Sequence, residues 1–135
     1  MLMIRKTAVA AGAAAALLMG AGVAHAEGGF DTRIGGWLTG KESRKWDDKN
    51  RDANATTVKF GGCSVDGASR FISATIQLKR VRAALPDPVE GRHDNRCNTS
   101  NFGRQGDAEY YFNLSKINGT DTGLRLSVDP VNVRY

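Results

Sequence analysis

From Thr56 to the C-terminus, apolar and polar side chains alternate with a period of two. Thr56-Thr57-Val58-Lys59-Phe60 is a short run of β-formers that stops at Gly61-Gly62. Arg70 to Arg82 (RFISATIQLKRVR) shows the plainest alternation, with Ile72, Ala74, Ile76 and Leu78 on one face and Ser73, Thr75, Gln77 and Lys79 on the other. A helix would not gather Ile72, Ile76 and Leu78 on one side with Phe71 and Val81. Glu109 to Ile117 sets Tyr110, Phe112 and Leu114 against Tyr111, Asn113 and Ser115, and Asn118-Gly119 follows as a turn. Gly123 to Val128 turns Leu124, Leu126 and Val128 inward, Asp129-Pro130 interrupts, and Val131 to Tyr135 is a last alternating strand. Trp37-Leu38-Thr39 opens the first strand. The pattern predicts an all-β chain, a small antiparallel sandwich or barrel of about six to eight strands. Its core should hold Ile72, Ile76, Leu78, Phe112, Leu114, Leu126, Val128 and Val133.

Four segments lack that period. Met1 to Ala26 has a basic start (Arg5, Lys6), an Ala/Gly-rich apolar stretch and a closing Ala24-His25-Ala26, which reads as a secretory signal peptide cut before Glu27. Its core is too weakly apolar for a membrane span, so no membrane insertion is expected after cleavage. Glu27 to Gly36 (EGGFDTRIGG) carries four glycines around Phe30 and Ile34 and reads as a flexible N-terminal arm, residues 27–36, ahead of a single β domain, residues 37–135. Lys41 to Asn54 is highly charged with Trp46 as its one large apolar residue, an exposed hairpin or loop that Trp46 either pins to the body or offers to a partner. Ala83 to Asp107 is broken by Pro86, Pro88, Gly91, Gly103 and Gly106 and reads as a long loop with Cys97 as its staple.

Export changes how the cysteines read. Cys63 and Cys97 are the only two, and in an oxidising compartment an even count predicts a disulfide, here with one possible connectivity. Closing about 35 residues, it should contribute roughly 3 to 4 kcal/mol. Pairing removes the thiolate that Cys–His catalysis and zinc binding both need. His93 is the one histidine left after cleavage, too few for a His-rich metal site. Loss of Arg5 and Lys6 lowers the net charge from +5 to +3, without the basic stripe that nucleic acid requires.

Other chemistry finds little footing. Asp48 to Asn54 spaces oxygen ligands as a calcium loop does, but Ala53 and Lys59 stand where such a loop needs Gly and Glu. Asp47, Asp48, Asp87, Glu90 and Asp94 are scattered acids in a chain with little room for a sugar cleft. No nucleophile elbow or phosphate loop occurs, and the Asn-x-Ser/Thr sequences at Asn54, Asn98, Asn113 and Asn118 are assigned no role. The expectation is a protein that is not an enzyme and takes no cofactor or metal.

The Ala-rich signal, the single cysteine pair, the glycine-rich arm and the β-only pattern ending in Val131 to Tyr135 resemble small secreted actinobacterial proteins. Within that group the layout is similar to the adaptor subunit of umbrella toxin particles. The resemblance spans the whole chain, rests on layout without a diagnostic motif, and implies a protein linking a repeat-containing toxin polypeptide to lectin subunits. From the residues themselves, the expected function is a secreted, extracellular binding or adaptor protein that engages another secreted protein. Its candidate contact residues are Phe30, Ile34, Trp37, Trp46, Arg92 and Arg96. Two alternatives stand beside it: a lectin-like module stacking a glycan on Trp46, Trp37 or Tyr111, and an inhibitor presenting the Ala83–Asp107 loop to a secreted hydrolase.

Overall fold

A computed structural model describes residues 28–135, so the expected signal peptide, residues 1–26, and Glu27 lie outside the described residues. Among the described residues nine strands follow one another without a helix: β1 Gly29–Trp37, β2 Trp46–Asp48, β3 Thr57–Phe60, β4 Ser64–Asp66, β5 Ala74–Arg80, β6 Val89–Asn95, β7 Thr99–Asn101, β8 Ala108–Ile117 and β9 Arg125–Arg134. They form two antiparallel sheets, ordered β1-β9-β3-β7 with β4 also on β9, and β2-β8-β5-β6. The expected all-β fold and disulfide are both present, the latter as Cys63–Cys97 with Cα atoms 5.9 Å apart. The strands beyond the expected six to eight are short or polar, β2, β4 and β7 having three residues each.

The apolar faces of the two sheets meet in one core. β5 contributes Ala74, Ile76 and Leu78, and β8 contributes Tyr110, Phe112, Leu114 and Ile117. From the other sheet come Ile34, Val58, Phe60, Leu126, Val128, Val131 and Val133. In β9 the alternation slips by one residue at Asp129-Pro130, both exposed, so that Leu126 and Val128 on one side and Val131 and Val133 on the other all face inward. β4 pairs with β9 before the slip and β3 after it, while β1 runs along its other edge. Gly62 (φ 54°) turns the chain between β3 and β4 where any side chain would meet the Asp129 carbonyl.

Seven of the eight expected core residues are buried; Ile72 is not, with 53% of its surface exposed. β5 begins at Ala74, four residues after the Arg70 start that the alternation suggested. The stretch before it is held by Asn118, whose Oδ1 accepts from the Ile72 and Ser73 amides at 2.7 and 3.1 Å and whose Nδ2 donates to the Arg70 carbonyl at 2.9 Å. That turn lifts Ile72 off the sheet.

The segment expected as a flexible arm is instead strand β1, paired with β9 from Gly29↔Arg134 to Trp37↔Leu126. Its glycines answer to packing: the Tyr135 ring lies where a Gly28 side chain would project, and the Arg134 side chain and the Val133 carbonyl crowd Gly29. The Ala83–Asp107 stretch likewise contains β6, β7 and the crossing between the sheets. At that crossing Asn95 is wholly buried. Its Nδ2 donates to the Asn98 carbonyl and Ser100 Oγ at 2.8 and 3.0 Å, and its Oδ1 accepts from the Cys97 and Asn98 amides. This one side chain shapes the turn that presents Cys97, itself in the left-handed region at φ 68°, to Cys63.

Candidate binding site

Of the candidate contact residues, only Phe30 and Trp46 meet, ring against ring within the fold, and the six form no common surface. Ile34 and Trp46, each 3% exposed, are core residues, and Trp46 pins its segment to the body. The Trp46 ring stacks on Tyr135 at 5.8 Å and tilts against Phe30 at 5.8 Å and Tyr110 at 6.4 Å, with the Arg44 guanidinium 4.4 Å above the Phe30 ring. Half-buried Trp37 leans on Phe112 at 6.0 Å. Arg92 lies on the outer face of the second sheet, opposite Gln77 of β5. Arg96 occupies the exposed turn at the disulfide corner, where its amide donates to Asn98 Oδ1. These positions belong to different parts of the surface and interior.

A better-defined surface feature is the loop joining β5 to β6, residues 81–88. Its tip, Ala83-Ala84-Leu85-Pro86, is apolar and exposed throughout, with Leu85 at 54% exposure and Val89 beside the loop at 48%. Charged or polar residues are what solvent-facing hairpins normally carry, so four apolar side chains here stand out. Ala84 takes a left-handed conformation (φ 61°), which strains any residue with a Cβ and needs support from its surroundings.

Asp87 supplies that support. Its Oδ1 accepts from the Arg82 amide at 2.9 Å, closing the loop across its own base. Its Oδ2 accepts from the Tyr111 hydroxyl at 2.6 Å, tying the base to β8. Backbone bonds from Arg80 to the Pro88 carbonyl (3.1 Å) and from Val81 to the Glu109 carbonyl (2.8 Å) complete the anchorage. The Tyr111 hydrogen bond, then the Arg82 amide and the nearby Lys45 and Lys79, hold the Asp87 carboxyl below the usual carboxylate range. Burial, reinforced by Asp87, pushes the Tyr111 hydroxyl well above the usual tyrosine range. At neutral pH the pair is therefore a carboxylate accepting from a neutral phenol, a charge-assisted bond.

Around the loop stand Lys45, Lys79, Arg80 and Arg82, against Asp87 and Glu90, with Arg80 and Glu90 paired at 3.2 Å. With Glu42 beside Tyr111 and Glu109 at the loop's foot, the feature is an apolar knob on a base of mixed charge, suited to an apolar socket with a polar rim. The tip carries no nucleophile or titratable group, so its chemistry is that of contact. Leu85 was overlooked in the sequence although the run Ala83 to Pro86 between charged neighbours was its signal; the Asp87–Tyr111 bond, 24 residues long-range, had none. Among the described residues, no group of three or more His, Cys, Asp or Glu side chains is arranged to hold a metal ion. Comparison with protein-family models, characterised proteins and solved structures finds no match to this chain.

Proposed function

We propose that this chain is a secreted, non-catalytic binding protein that engages another extracellular protein through the residue 81–88 loop. The observation that carries this reading is an apolar tip held out in solvent on a braced base: Leu85 is 54% exposed while Asp87 fastens both ends of its loop. A loop braced before binding loses little conformational freedom on docking, which favours affinity. An adaptor role, linking subunits of a secreted particle, is the specific form that the whole-chain layout suggests.

The other two readings draw less support. Of the three intended sugar platforms, Trp46 and Tyr111 are 3% and 5% exposed, and Trp37 is half-buried with its ring against Phe112. An inhibitor of the substrate-like kind needs an extended loop, whereas Ala83-Ala84 forms a turn with a left-handed residue.

The test is capture from the producer's culture medium by the processed protein and by Leu85→Asp, followed by mass spectrometry. The reading requires a protein retained by the first and lost with the second. Equal capture by both would overturn it.

A further inference from the structure

We infer that a second copy of this chain adds to the free edge of β6, joining two four-stranded sheets into one antiparallel sheet of eight. Among the described residues β6 pairs only with β5; β7 follows close by but pairs with β3 in the other sheet, so no strand hydrogen-bonds to the second edge of β6. The competing edges are poorer templates: β2 and β7 are three residues long, and β1 is interrupted by two register shifts. In β6 the register shift is confined to the Val89–Gly91 end, leaving Gly91 to Asn95 regular.

Charge and parity select one register. Two copies that keep their apolar faces on the same side must match residues of like parity, because a one-residue slip inverts the faces. A two-fold axis at Arg92 would set Arg92 against Arg92, and one at Asp94 would set Asp94 against Asp94. An axis at Gly91 would rely on Glu90, which lies in the shifted end and is already paired with Arg80. An axis at His93 sets Arg92 of each copy opposite Asp94 of the other, two attractive cross-strand pairs on the outer face. Both side chains are positioned for it: Asp94 Oδ1 accepts from Thr75 Oγ1 at 2.6 Å, and Arg92 lies against Gln77.

This pairing goes beyond the proposed function and uses a different surface. It would turn the two Leu85 loops toward opposite ends of the joined sheet, their bases at Val89 separated by roughly 25 Å at ~3.3 Å per residue along the strands. A bivalent particle would result, with the avidity that two tethered sites provide.

Sedimentation equilibrium of the purified chain over a wide concentration range tests it. The wild type should show a monomer–dimer equilibrium. Arg92→Asp or Asp94→Arg alone should raise the dissociation constant by roughly tenfold or more, since attraction becomes repulsion at two symmetric sites. The double variant Arg92→Asp/Asp94→Arg should restore the wild-type value, and Leu85→Asp should leave it unchanged. A wild type that stays monomeric overturns the inference, as does a double variant no tighter than the singles or a dimer lost with Leu85→Asp.

Discussion

The hydroxyl of Tyr111 and the carboxylate of Asp87 meet at 2.6 Å, joining the outer face of β8 to the base of the loop that carries Leu85. The bond spans 24 residues and makes loop geometry depend on the sheet below it. Tyr111→Phe keeps the ring, which is 5% exposed, and removes only the donor. The expected outcome is a loss of partner capture comparable to that of Leu85→Asp. The loss of stability should stay within that of one hydrogen bond to a charged group, roughly 1.5 to 3 kcal/mol by denaturant titration.

The same pair sets a pH window. Asp87 is lowered in the fold, so its contribution is present above the ordinary aspartate pKa and fades as acid brings the pH down through its depressed value, below about 4. Tyr111 is raised, so its contribution is full below the ordinary tyrosine pKa near 10 and is lost as alkali carries the pH up through its higher folded value. Carboxyl-carbon NMR titration should find Asp87 taking up its proton late on acidification, after the ordinary carboxylates. Ultraviolet titration should find a tyrosine ionising late in alkali that is missing from Tyr111→Phe.

Core substitutions separate the strand from its approach. Leu78→Ala and Leu126→Ala, at positions fully shielded from solvent, should each cost about 2 to 5 kcal/mol. Ile72→Ala, with its side chain half in water, should stay within roughly 1 kcal/mol of wild type. Equilibrium urea unfolding of the three variants measures the contrast. A large loss at Ile72 would place the start of β5 before Ala74.

These contrasts mark what could be read from the chain alone. A strand with one wet and one dry face writes its burial as alternation, and β5, β8 and β9 were legible for that reason: Ile76, Leu78, Phe112, Leu114, Leu126, Val128 and Val133 all face the core. β6 was hidden because an edge strand with Glu90, Arg92, His93 and Asp94 carries little apolar pattern, and its inner face at Gly91 is filled by the Phe102 ring from elsewhere. β1 was hidden by glycines whose missing side chains make room for Tyr135 and Arg134, a reason that lies more than a hundred residues away. The run Ala83 to Pro86 stands in the sequence as the signal of an apolar loop tip, but its brace has none, since nothing local to Asp87 names Tyr111 as its donor.

The corner between the sheets should fail as a unit. Cys63→Ala with Cys97→Ala is expected to lower stability by roughly 2 to 5 kcal/mol. Asn95→Ala leaves the disulfide in place yet removes the buried amide whose oxygen accepts from the Cys97 and Asn98 N–H groups; about 2 to 4 kcal/mol is expected. Because the two devices share Cys97, the triple variant should lose less than the sum of the separate losses. Full additivity in urea unfolding would mean that Asn95 and the disulfide act independently.

Removal of residues 28–34 tests whether β1 is part of the fold. Those residues supply Ile34 to the core, the Phe30 ring to Trp46 and hydrogen bonds along β9, ending with Gly28 and Tyr135 bonded in both directions at 2.9 and 3.0 Å. They also satisfy Arg134, which pairs with Asp31 at 2.8 Å, although an exposed pair of this kind contributes little by itself. Without them β9 becomes an edge strand, and the apolar surface of Val128, Val131, Val133 and Trp46 is opened to water. Loss of Ile34 alone is expected to cost about 2 to 5 kcal/mol, so the truncated chain should melt at a much lower temperature or fail to fold. The milder Ile34→Ala keeps the backbone pairing and should show the core share of that loss in isolation. Calorimetry that finds the truncated chain as stable as the full one would mean that residues 28–34 lie outside the cooperative unit, leaving them free to pair with another protein.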